Sequence, residues 1–138
     1  MKTVRFLLIL FFFLPLRAFA SNTSDLIDRY FEITHRLEYE SKKDYFGNPK
    51  LKRRVWQYYE ERFEELKKQI KHPDNSFDQM VKELAQARAN ICRAEADNIF
   101  EMDGYKQKIT NEKIRLALGI VEAHQDLLYL YSEKDDGR

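Results

Sequence analysis

One cysteine, four glycines and three prolines are all that 138 residues hold of the types that staple, loosen or break a chain. A lone Cys92 excludes an intramolecular disulfide, so packing must hold the fold. Small secreted domains in oxidising compartments are often rich in disulfides. Their absence favours a bacterial periplasm over a eukaryotic secretory route. Cys92 itself is expected in the core, because free cysteine is among the most buried residue types. With so little glycine there is no Gly-rich loop to cradle a phosphate. There is also no G-x-S-x-G elbow for a serine nucleophile and no C-x-x-C-H for covalent haem. Charge of one sign is missing as well: the net charge is +1 with 34% charged residues. That balance argues against a nucleic-acid partner, which calls for a basic stripe, and against a polybasic segment for anionic lipid. No stretch alternates apolar and polar residues with period two, so strands are not expected.

What is present begins with an address. Lys2 and Arg5 precede an apolar run from Phe6 to Leu16, and Ala18-Phe19-Ala20 is the small-x-small pattern that signal peptidase reads. The run is shorter than the about 20 apolar residues a bilayer span needs, and no second apolar segment follows. Residues 1–20 are expected to be a cleaved signal peptide, residues 21–132 one helical domain and residues 133–138 a polar tail. The mature protein is then periplasmic or secreted, with no membrane span after cleavage.

Four amphipathic segments follow. Helix one is expected to start at Thr23 or Ser24 and to bury Ile27, Tyr30, Phe31, Thr34 and Leu37. Gly47-Asn48-Pro49 supplies the turn after it. Helix two, from about Lys50 to Lys71, repeats Trp56, Tyr59, Phe63, Leu66 and Ile70 at steps of three and four, with Glu64 and Lys68 as an i,i+4 pair. Pro73 prevents its continuation. Ser76-Phe77-Asp78-Gln79 reads as a capping box opening helix three, whose stripe is Phe77, Met80, Leu84, Ala87, Ile91 and Ala94, with Gly104 as its stop. Helix four, from near Thr110 to Tyr131, is apolar on two sides. Ile114, Leu118, Val121 and Leu128 lie on one side, and Leu116, Ile120, Ala123, Leu127 and Leu130 on another. Such a helix packs between neighbours or holds a partner surface. The fold class expected is all-α, a small antiparallel bundle of about four helices.

The chemistry-bearing residues do not assemble into a known constellation. Glu32-Ile33-Thr34-His35 is an E-x-x-H, but a di-metal bundle needs two such motifs and two further glutamates. Neither His72 nor His124 has an acid three residues before it. A Met/His haem pair would have to draw on His124 with Met80 or Met102. No catalytic, cofactor-binding or metal-binding residue is assigned, and no cofactor is expected. Aromatic residues crowd the first half, and they are enriched in binding hot spots. Tyr45 and Phe46 in the first loop and Tyr58 off the helix-two seam are the candidate partner surface.

Residues 55–130 resemble the LprI-type lysozyme-inhibitor-like family. The resemblance is carried by Tyr58-Tyr59, Phe63-Glu64-Glu65-Leu66, Ala85-Gln86, Arg93, the Glu101-Met102-Asp103-Gly104 turn and the helix from Thr110. The chain departs from the family in lacking the aromatic after the Ala-Gln pair, where Ala89 stands. It also lacks the cysteines that family members commonly pair; a helix cysteine would fall near Asp97. The resemblance implies an envelope protein that inhibits a cell-wall lytic enzyme. The expected function is therefore a non-enzymatic periplasmic or secreted helical protein that binds another protein as an inhibitor or immunity-type partner. The alternatives are a small haem or metal carrier using His35 or His124, and a periplasmic chaperone.

Overall fold

The computed structural model describes residues 23–43 and 45–136; the signal-type segment 1–20 lies outside them. Among the described residues there are four α-helices, one turn of 3-10 helix and no strand. They are α1 Thr23–Ser41, the 3-10 turn Tyr45–Gly47, α2 Pro49–Gln69, α3 Ser76–Asn98 and α4 Gly104–Asp136. The all-α bundle expected from the periodicity is the fold observed. No described helix is long and apolar enough to cross a membrane.

Side-chain bonds between elements give the up-down order. Thr23 Oγ1 donates to Asp78 Oδ1 at 2.7 Å, which places the starts of α1 and α3 at one end. Arg93 of α3 pairs with Glu60 of α2 at 2.7 Å, and Lys67 donates to Gln86, so α2 and α3 run antiparallel. Asn98 bonds Asn111, Arg88 bonds Gln125 and Phe77 stacks on Tyr131, so α3 and α4 do too.

The central helix is α3. Its fully buried line is Val81, Ala85, Ala89, Cys92 and Ala96, whereas Phe77, Met80, Ala87 and Ala94 of the expected stripe are only partly buried. Small residues dominate that line because α3 is packed by α2 on one side and α4 on the other. Ile27, Tyr30 and Leu37 of α1, Phe63 and Leu66 of α2 with Ile70 just past its end, and Val121 and Leu128 of α4 complete the core. Each large side chain so buried contributes on the order of 2 kcal/mol through removal of apolar surface from water.

Local chemistry moves several boundaries from their expected places. The N-cap of α3 is Asn75, whose Oδ1 accepts from Asp78 N at 2.8 Å; Ser76 is the first helical residue, and Gln79 turns to Glu83 instead of reaching back. Thr23, the first residue of α1, ties that helix to Asp78 and Asn75. Gly104 is not the stop of α3. It is the first residue of α4, and the aspartate before it caps that helix: Asp103 Oδ1 accepts from the amides of Tyr105 and Lys106. The last helix therefore starts six residues before Thr110. It runs on through residues 133–136, past Tyr131 and into the stretch expected as a polar tail. Glu64 takes Lys67 at 3.0 Å and Arg93 at 3.5 Å in place of Lys68, because α3 presents a cation at that point.

Candidate functional site

Every third or fourth residue of an α-helix returns to the same face, so one helix with two apolar lines has two faces to cover. On α4 the structure covers only one. Ile114, Val121 and Leu128 are buried, and Ala117 and Leu118 pack against the core. The other line stands in solvent: Leu116 is 58% exposed, Ile120 62%, Leu127 51% and Leu130 60%. Ile109 begins the line and Ala123 continues it, both exposed. From residue 109 to residue 130 the steps run 4-3-4-3-4-3 if Lys113 is included, which is the spacing of a coiled-coil seam. At 1.5 Å per residue the seam is about 32 Å long. Gly119 lies beside its midpoint, and a Cβ there would meet nothing.

The seam points outward because the opposite side of α4 is anchored by a buried polar cluster. Arg88 of α3 is buried, donating from Nε to Tyr30 Oη at 3.2 Å and from Nη2 to Gln125 Oε1 at 2.7 Å. The Tyr30 hydroxyl also donates to Gln125 Oε1 at 2.7 Å. Burial raises the Tyr30 pKa, and the guanidinium opposes that rise in part. Three helices thus meet at one polar point, which sets the rotation of α4 about its axis. Phe31 against Tyr129 and Phe77 stacked on Tyr131 extend the same docking toward the end of the helix. This cluster escaped the sequence reading, since Arg88 and Gln125 carry no motif. The signal available was an arginine falling on the apolar line of α3.

The residues singled out from sequence are scattered. Tyr45 has a φ of 52° and folds back on α1, its hydroxyl donating to the Glu40 carbonyl at 2.9 Å with a Glu40 carboxylate oxygen at 3.0 Å. It thereby adds a second bond to a carbonyl near the end of α1 that already accepts from the Lys43 amide at 3.2 Å. The Phe46 side chain lies outside the described residues. Tyr58 is half-exposed on the outer side of α2, edge-on to Tyr59 with the Arg62 guanidinium 4.7 Å from its ring. His35 is exposed on α1, and Glu32 beside it pairs with Arg36 at 3.3 Å. His124 is exposed with Nδ1 2.9 Å from the Ile120 carbonyl. Among the described residues no three side chains of metal-ligating type converge. Cys92 is fully buried, and burial pushes its thiol up to about 12, so the nucleophilic thiolate is suppressed.

Residues of the family resemblance serve the packing of α3. Ala85 is buried, Gln86 accepts from Lys67 and donates to Asn90, and Arg93 bridges to Glu60 and Glu64. A second feature missed in the sequence is local. Lys50, Lys52, Arg53 and Arg54 crowd the start of α2, whose first turn holds no acid. Lys50, Arg53, Arg54 and Gln57 line a shallow concavity with Phe100, and the Arg53 guanidinium lies 5.5 Å from that ring. Comparison with family models, with curated proteins and with solved structures finds no match.

Proposed function

We propose that this chain is a non-enzymatic binding protein of the cell envelope or its surroundings, and that the exposed seam of α4 is its protein-binding face. The single observation that carries this reading is the solvent exposure of Leu116, Ile120, Leu127 and Leu130 in one line. Apolar side chains scattered singly on a surface are ordinary, but a contiguous patch rimmed by polar residues marks an interaction site. A helix offering such a line docks by helix-to-helix or helix-in-groove packing. The signal-type segment at residues 1–20 supports a periplasmic or secreted address. The resemblance of residues 55–130 to the lysozyme-inhibitor-like proteins narrows the role to an inhibitor or immunity-type partner of an envelope-acting lytic enzyme.

The test uses the intact protein, tagged at its C-terminus, and an Ile120→Glu/Leu127→Glu variant with two charges on the seam. Chemical cross-linking in envelope extract should recover one stoichiometric protein with the wild type and none with the variant. In parallel, purified protein should slow cell-wall lysis by a muramidase at near-equimolar ratio. Equal recovery by both proteins would remove α4 from the reading, and undiminished lysis would remove the inhibitor role. A scatter of unrelated proteins, captured through the seam, would instead favour a chaperone that holds unfolded clients.

A further inference from the structure

We infer that in the free protein the occupant of the α4 seam is a second copy of this chain, packed antiparallel about a two-fold axis near residues 121–122. The inference rests on the reading of α4 as a binding face and names what covers it. Charge distribution carries the argument. Between residues 104 and 118, α4 holds Lys106, Lys108, Lys113 and Arg115 against Glu112; between residues 119 and 136 it holds Glu122, Asp126, Glu133, Asp135 and Asp136 against Lys134. The basic half is at the helix N-terminus and the acidic half at its C-terminus. Both choices oppose the helix dipole, which favours anions at the start and cations at the end. Such a distribution costs the isolated helix stability, so its benefit must come from a neighbour.

That neighbour is not found within the described residues. Arg115 is paired with Glu112 on its own helix at 2.7 Å, and Lys106, Lys108 and Lys113 have no carboxylate within 4.0 Å. A second α4 laid antiparallel supplies what is missing, since it sets each basic half against an acidic half and opposes the two dipoles. A parallel pair would set like charges together along the whole seam.

The apolar register agrees. Seating Ile120 against Ala123 of the mate also seats Leu116 against Leu127, and Lys113 against Leu130 beside the mate's acidic end. Gly119 fits the same picture. It costs a mid-helix position about 1 kcal/mol relative to alanine, its Cβ would meet nothing inside the molecule, and it lies where the two backbones come closest. An isologous pairing of this kind closes on itself, as most soluble homo-oligomers do.

The test is made on the full chain expressed with its own N-terminal segment, in whatever form that segment is processed. Sedimentation equilibrium should find a dimer at protein concentrations up to about 0.1 mM, the weak end of specific association. Ile120→Glu/Leu127→Glu should be a monomer with unchanged helix content. Orientation is read with Lys113→Cys and Leu130→Cys variants and a short bis-maleimide. A mixture of the two should cross-link, while each alone should not, because like positions lie about 26 Å apart along the axis of an antiparallel pair. A monomer at the highest concentration overturns the inference, as does self-linking of each variant. If the wild type is monomeric yet loses a captured envelope protein on Ile120→Glu/Leu127→Glu, the second copy is refuted and the binding reading stands. A seam-dependent dimer that captures nothing else supports the second copy and refutes the heterologous partner.

Discussion

Burial decides the behaviour of the two most consequential single residues. The Cys92 thiol has no exposed surface, and desolvation pushes it up to about 12 from the ordinary 9.0, with the Arg88 charge opposing. The folded chain keeps a proton that the unfolded chain releases, so this contribution is complete below about pH 9 and is lost as pH rises toward 12. The expected slope is up to about 1.4 kcal/mol of stability per pH unit in that window. Tyr30 titrates upward for the same reason, so the effect is isolated by difference. Urea unfolding of wild type and Cys92→Ala at several pH values above about 8 should show the extra slope in the wild type alone; parallel curves would place the thiol in water. Arg88 makes the second case. It is a buried cation held by two neutral acceptors, and truncating it leaves the Tyr30 oxygen without its donor and Gln125 Oε1 with the Tyr30 hydroxyl alone. Arg88→Ala should cost about 3 kcal/mol, and Arg88→Met with Tyr30→Phe and Gln125→Leu should recover most of that. A loss below about 0.5 kcal/mol for the single variant would mean that the cluster does not anchor α4.

At the scale of elements, competition between neighbouring polar residues sets the ends. The stretch Ser76 to Gln79 has the letters of a capping box, yet Asn75 stands one residue earlier with a carbonyl oxygen in reach of the Asp78 amide. Once Asn75 takes that amide, Ser76 enters the helix. The expected consequence is asymmetric. Asn75→Ala should destabilise by about 1 kcal/mol, more if its bond to Thr23 is counted, whereas Ser76→Ala should stay within about 0.5 kcal/mol. Chemical denaturation of the two variants checks it, and the reverse order would return the cap to Ser76. Asp103 works in the same way at α4, where its carboxylate turns Gly104 from a stop into a start.

The whole molecule sorts leucines that look alike in the chain. Leu66 and Leu116 both sit on three-four apolar lines, but Leu66 is buried against α3 while Leu116 faces water. Leu66→Ala should lower stability by about 3 kcal/mol, the transfer loss plus a cavity. Leu116→Ala, measured in dilute protein, should lie within about 0.5 kcal/mol. Thermal unfolding followed by circular dichroism separates them; an equal loss would mean that the seam is covered within a single chain. The two-sided pattern of α4 was visible as a pattern, since residues 114–130 carry both lines. Which line met the bundle was not visible, because both have the same spacing and similar side chains.

Periodicity and composition alone determined that this chain is helical, that it makes four segments, and that α2 buries Tyr59, Phe63 and Leu66. Those properties depend on 3.6-residue geometry and on the scarcity of breakers, both of which are local. Only the tertiary structure decided that α3 is central, that its small residues form the buried line, and that Tyr45 folds onto α1 while Tyr58 faces away on α2. It also decided which face of α4 is left open. That choice depends on Arg88, Tyr30 and Gln125 meeting from three helices across separations of 58, 37 and 95 residues. No local pattern encodes a contact of that kind, because its energy exists only when the helices are already side by side.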